Sequence, residues 1–175
     1  MKTNVLLACD ESGQEARVRA ALDAVHGRPY ELRTVATLAD TLAAVRAGQV
    51  DAVLLDLNLP DSVGITTFLR LQPKAASIPV VVLVATQEEE LGKQAVERGA
   101  LDCVLKGEVS ARLLDKVLRY ATERTHTLKA LKASEQRYRE LFQNVTAGVF
   151  QTTVDGKFMA ANPALVRMLG YDSED

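Results

Sequence analysis

The chain has 175 residues, 47% of them hydrophobic and 25% charged, which suits a globular protein with a real core and excludes two large domains or wholesale disorder. Lys plus Arg (21) nearly balance Asp plus Glu (23), a net charge of -2, so nothing marks the chain for nucleic acid or an anionic membrane. No apolar stretch reaches the roughly 18 residues of a membrane helix, and two cysteines with two histidines make neither a disulfide framework nor a zinc cluster, so the chain reads as cytoplasmic.

Val5 to Cys9 is a continuous apolar run, followed by Asp10-Glu11-Ser12-Gly13 and a helical period through Val18, Leu22 and Val25 that ends at Gly27-Arg28-Pro29. Tyr30 to Val35 reads as a second strand. Thr37, with Asp40 three residues later, opens a helix that stops at Gly48. Ala52 to Leu55 is a third strand; the loop Asp56 to Gly64 leads to a short helix ended by Pro73. Val80 to Val84 is a fourth strand, Glu88 to Arg98 a helix stopped by Gly99, and Cys103 to Leu105 a fifth strand before a helix from near Ser110. Alternating strands and helices, with strands apolar throughout rather than every second residue, predict an α/β fold around a parallel sheet.

The last of these helices lacks a stop signal, since Ala111 to Phe142 contains neither Gly nor Pro. Spacings of three and four pick out Val117, Ala121, Arg124, Leu128, Leu131, Glu135, Tyr138 and Phe142, the seam of a parallel two-stranded coiled coil. A single amphipathic helix folded back on its own domain is the alternative. Gly148 to Val154, Asp155-Gly156 and Lys157 to Met159 then read as a hairpin with Asp-Gly as its turn, and Pro163 to Leu169 as a short helix. A hairpin and one helix bury too little apolar surface to stand alone.

Charged residues fall where such a fold places chemistry, beyond the carboxyl ends of the strands. Asp10 and Glu11 follow the first strand, Asp56 the third and Lys106 the fifth. Converging carboxylates repel unless a cation lies between them, and oxygen-only ligands beside a phosphate favour Mg2+. Lys106 offers a point charge for a phosphoryl oxygen.

Residues 4 to 120 resemble a response-regulator receiver domain of the chemotaxis-regulator type. The likeness rests on Val5-Leu6-Leu7 before Asp10-Glu11, on Leu54-Leu55-Asp56-Leu57-Asn58-Leu59-Pro60-Asp61-Ser62-Val63-Gly64, and on Gly99-Ala100-Leu101-Asp102-Cys103-Val104-Leu105-Lys106-Gly107-Glu108. It implies a flavodoxin-like, doubly wound sheet of order 2-1-3-4-5, an order that comes with the resemblance and not from the residues. It also implies that Asp56 is the phosphoacceptor for a histidine kinase or phosphotransfer protein. Mg2+ would be held by Asp10, Asp56 and the backbone carbonyl of Asn58, with Glu11 a further candidate, and Lys106 would contact the phosphoryl group.

The sequence departs from that pattern at several positions. Cys9 stands where the family's acidic pair begins, Val84 where a Thr or Ser hydroxyl reports phosphorylation, Cys103 where an aromatic switch is usual, and Gly107 where a proline follows the lysine. Thr86, two residues after Val84, is the substitute hydroxyl if its loop bends inward, while Ala85 keeps a small residue beside the site. Two functional readings therefore stay open: a phosphorylatable receiver, and a pseudo-receiver acting as a phosphorylation-independent dimerisation or docking module. An aspartyl-phosphate hydrolase is a third and weaker reading, because Asp56-Leu57-Asn58 lacks a second acid two residues on. A Cys9–Cys103 disulfide is rejected, since the first and fifth strands would lie about three spacings of 4.8 Å apart.

Ser134 to Asn144, Asp155-Gly156, Asn162-Pro163 and Leu169-Gly170-Tyr171 resemble the opening of a PAS domain, a fold needing roughly 100 residues, so the chain reads as a piece of a longer protein. The two resemblances divide it into a receiver (1–120), a signalling helix (121–143) and the start of a PAS domain (144–175). The seam along the long helix predicts a homodimer through 121–142, and the two resemblances imply an output domain beyond, such as a histidine kinase or a diguanylate cyclase, with this chain itself no enzyme.

Overall fold

A strand that is apolar on both faces has to be covered by helices on both sides, and the alternation of side chains decides which helix covers which residues. In the computed structural model, which describes residues 2–27 and 30–170 and leaves out the side chains of His126, Leu128, Lys129 and Phe158, this produces a five-stranded parallel sheet of order β2-β1-β3-β4-β5. Its strands are β1 (Thr3–Ala8), β2 (Tyr30–Val35), β3 (Ala52–Asp56), β4 (Val80–Val84) and β5 (Asp102–Leu105). Between them run α1 (Ser12–Asp23), α2 (Leu38–Ala47), α3 (Ile65–Leu71) and α4 (Glu89–Glu97), and α5 (Ala111–Asn144) follows β5. Fold class and strand order are those the resemblance implied; the end of the first helix at Arg28-Pro29 lies outside the described residues.

One face of the sheet carries Leu6, Ala8, Val53, Leu55, Val80, Val82 and Val84 and clusters with Leu38 and Val45 of α2, Phe68 and Leu71 of α3 and Ala95 of α4. The other carries Val5, Leu7, Ala52, Leu54, Val81 and Leu83, covered by Val18 and Leu22 of α1 and by Leu114, Val117 and Leu118 of α5. Alternate residues of each strand thus feed separate cores, and right-handed crossovers put each helix on its own side. Both local and distant groups cap α2. Thr37 Oγ1 accepts from Asp40 N at 3.0 Å, the Asp61 carboxylate accepts from Leu38 N (2.7 Å) and Ala39 N (3.0 Å), and Gly48 closes α2 at φ 83°.

The chain divides into two compact units, Met1–Thr125 and His126–Asp175, with the division inside α5. The second contains the last part of α5, an antiparallel pair β6 (Phe150–Thr152) and β7 (Phe158–Ala161), and α6 (Pro163–Leu169). Asn162, fully buried, caps α6 by accepting from Leu165 N at 3.0 Å, accepts from Val149 N at 2.8 Å and donates to Ala147 O at 2.9 Å.

Three expectations need correction. The hairpin does not turn on two residues: its loop runs from Thr153 to Lys157, closed by Thr153 N to Lys157 O (2.8 Å) and Gly156 N to Thr153 O (3.0 Å), with Gly156 at φ 82°. A register shift between Gln151 and Thr152 sets this longer loop. The fourth helix begins as a 3-10 turn, Thr86–Glu88, before α4. Val117 and Ala121 are not available to a coiled-coil seam, because 5% and 0% exposure places them in the first unit's interior. Further along α5, Leu131 and Tyr138 are exposed and Tyr138 stacks on Phe142 with ring centroids 5.9 Å apart, while Arg124 and Glu135 also face solvent. Leu128 lies outside the described side chains.

Candidate functional site

Strand register assembles the site. Ala8 pairs with Leu55, so Cys9 and Asp56 follow side by side, and Val84 pairs with Leu105, so Ala85 and Lys106 do the same. Asp56 itself pairs with Leu83 and is 1% exposed. Such a carboxylate needs partners. Its Oδ1 accepts the Asn58 N–H at 3.0 Å, and its Oδ2 meets Lys106 Nζ at 2.6 Å.

Lys106 is anchored at both ends. Its backbone carbonyl accepts from Arg17 Nη1 at 2.8 Å, and Glu11 Oε2 lies 3.9 Å from its ammonium. Burial works to lower the pKa of Lys106, but its bond to Asp56 and the charges of Asp56 and Glu11 outweigh it and hold the ammonium above the ordinary value of 10.5.

Cys9 occupies the acidic position without acting as an acid. Its thiol is buried, donates to Glu11 O at 3.5 Å and accepts Glu11 N at 3.3 Å. Burial above all raises its pKa, partly offset by the Glu11 backbone, and the negative charges of Asp56 and Asp10 raise it further. Asp10, the next residue, is exposed. Among the described residues no group of three or more His, Cys, Asp or Glu side chains is gathered for a metal. The oxygen donors carried at the neighbouring ends of β1 and β3 are the Asp10 and Asp56 carboxylates and the main chain at Asn58. That set matches the one or two carboxylates plus waters that Mg2+ takes.

The switch positions are arranged differently from the family's pattern. Val84 is fully buried in the core shared with α4, and Thr86 is exposed at the start of the 3-10 turn. Cys103 is half-buried, with Gly92 of α4 directly over it: a Cβ built on Gly92 would lie 2.1 Å from Cys103 Sγ. Both cysteines are free, as the distance between their strands requires.

Two participants escape the sequence reading. Arg17 reaches Lys106 across 89 residues, and Glu88 joins two loops beside Asp56. Its Oε1 accepts from Asn58 Nδ2 at 2.7 Å and its Oε2 from Ala85 N at 3.4 Å. No local signal marks Glu88, because Ala85, three residues before it, has no side-chain oxygen to open a capping box. Nothing local marks Arg17.

Comparison with known proteins places the chain among two families. The response regulator receiver domain model matches residues 5–118, and a PAS domain model matches residues 136–175. The KDP operon transcriptional regulatory protein KdpE of Escherichia coli is 36% identical over 115 residues, covering 63% of this chain and 49% of that protein. The sensor histidine kinase TmoS of Ectopseudomonas mendocina is 26% identical over 179 residues, covering 83% of this chain and 18% of that one. The chain thus spans about half the length of the first relative and under a fifth of the second. Among solved structures, NtrX from Brucella abortus superposes with a TM-score of 0.67 at 24% identity, over 88% of this chain and 32% of that one, a likeness of fold.

Proposed function

Given that the chain belongs to the response regulator receiver family over residues 5–118, and so to two-component phosphorelay signalling, we propose that Asp56 is its phosphoacceptor. The observation that carries this is the buried Asp56 carboxylate at the carboxyl end of β3, paired with Lys106 at 2.6 Å. In the proposed transfer an Asp56 oxygen attacks phosphorus, the bond from phosphorus to the donor's imidazole nitrogen breaks, and the imidazole leaves with the electron pair. Lys106 loses one carboxylate contact and gains the phosphoryl oxygens, so its charge stays compensated throughout.

Receiver domains generally bind Mg2+ at this site, and here Asp10, Asp56 and the Asn58 carbonyl would hold it, with Glu11 close enough to Lys106 to contribute. When bound, the cation neutralises charge that builds up between carboxylates and phosphoryl group. With Cys9 in place of an acid, that binding is weaker than two adjacent acids would give.

We read the division as a receiver (1–120), a signalling helix (121–143) and a PAS segment (144–175), in a cytoplasmic signalling module and not an enzyme. Its partners are a histidine kinase or phosphotransfer protein and a second copy through α5. The exposed stripe Leu131, Tyr138 and Leu141 supports that second contact; nucleic acid and membrane are not among the partners. No helix among the described residues is long and apolar enough to cross a bilayer.

A second reading, a pseudo-receiver that docks or dimerises without phosphorylation, is favoured by Val84 in the core and by Gly92 closed over Cys103. Acetyl phosphate with Mg2+, followed by intact mass, separates the two. Gain of one phosphoryl group in wild type and none in Asp56→Asn supports the receiver. No gain from acetyl phosphate, beryllofluoride or a cognate kinase leaves the pseudo-receiver.

A further inference from the structure

Glu88 bonds to both loops beside Asp56. It stands at the end of the 3-10 turn Thr86–Glu88 and is half-buried. One oxygen takes the side-chain amide of Asn58, the residue whose backbone N–H binds Asp56. The other takes the N–H of Ala85, the first residue after β4, at the strand end next to Lys106. Asn58 Oδ1 in turn accepts Gly64 N at 3.3 Å, so the loop after β3 is tied into the same network.

These donors are the kind an incoming anion needs: an N–H at a strand's carboxyl end and an amide beside the acceptor carboxylate. An intrinsic carboxylate already occupies both. An acyl phosphate on Asp56 carries about -2 in place of the carboxylate's -1, roughly one further negative charge now spread over the phosphoryl oxygens, and it would share Asn58 with Glu88. Two anions on one residue repel, and Val84 offers no hydroxyl to anchor the new one.

Resting on the reading of Asp56 as phosphoacceptor, we infer that Glu88 is an anionic latch that competes with the phosphoryl group for Asn58 and Ala85. While Asp56 is free, Glu88 holds the loop after β4 against the loop after β3. When Asp56 carries the group, the latch is expelled and the turn Thr86–Glu88 is released. Glu88 is a positioning residue here: it touches the donors and not the reacting atoms. The device takes over the reporting task that Val84 cannot perform.

The full chain and its Glu88→Gln variant are compared for the initial rate of phosphorylation by acetyl phosphate with Mg2+, by intact mass, and for beryllofluoride saturation by fluorine NMR. Gln keeps an acceptor for Asn58 and loses the charge, so rate and apparent affinity should rise roughly three- to tenfold, as removal of one like charge a few ångströms away implies. Glu97→Gln, an exposed acid at the far end of α4, controls for net charge and should change neither. In wild type alone, the Glu88 side-chain carboxyl carbon should shift on beryllofluoride addition while that of Glu97 does not. Equal or lower rates in Glu88→Gln, or a Glu88 carbon that does not move, overturn the latch and leave Asp56 as acceptor. Absence of modification and of beryllofluoride binding in every variant overturns the acceptor assignment, and the latch with it.

Discussion

Gly92→Ala tests whether the face formed by α4, β4 and β5 is closed. A Cβ there would meet Cys103 Sγ at 2.1 Å, Cys103 Cβ at 3.2 Å and Val84 Cγ2 at 3.3 Å. In an exposed helix Gly to Ala would gain about 1 kcal/mol. Here a contact that short forces Cys103 or the helix to move, and overpacking costs about 1–3 kcal/mol, so the variant should be destabilised by up to about 2 kcal/mol. Cys103→Ala removes the sulfur and leaves only the two tight but tolerable contacts. In that background Gly92→Ala should become neutral or stabilising, a coupling of at least about 1 kcal/mol between the two positions. Urea unfolding followed by far-UV circular dichroism measures all four corners of the cycle, and amide exchange at Val81 to Leu83 assigns the change to the sheet. Additivity within about 0.5 kcal/mol would refute the reasoning. A confirmed coupling means that this position, which an aromatic side chain would need free space to use as a switch, is occupied by a helix backbone.

The dimer is expected by light scattering of the full chain and should be lost on truncation after Thr125, which keeps the buried Ala121 and Thr122 in place, or on Tyr138→Lys; a monomeric full chain removes the coiled-coil reading. The pH dependence follows from Lys106, whose folded pKa lies above 10.5 chiefly through Asp56, against the effect of burial. A raised pKa contributes stability that is complete below 10.5 and lost as pH rises through the folded value, so wild type should lose stability relative to Lys106→Met above that pH. Parallel alkaline unfolding curves for the two proteins would refute the ion pair.

Much of the site was legible because it is written locally. An apolar run ending in Asp56, another ending in Lys106, and Thr37, Gly48 and Asn162 at helix ends each act through residues within a few positions of themselves. The strand order was legible only through resemblance, since no local pattern says which strand lies beside which.

What periodicity could not tell was which part of a long apolar stripe is already in use. Val117 and Ala121 continue into Leu131 and Tyr138 at helical spacing, yet the first pair lies in the receiver interior and the second in solvent. The sequence by itself determined the elements, their caps and the charges at the strand ends, because short-range sterics and hydrogen bonds set these. Only the tertiary structure decided that Glu88 meets Asn58 across 30 residues, that Arg17 holds Lys106 across 89, and that Gly92 covers Cys103. Those contacts are made when crossovers bring distant segments to one edge of the sheet, and nothing in either partner's neighbourhood encodes the other.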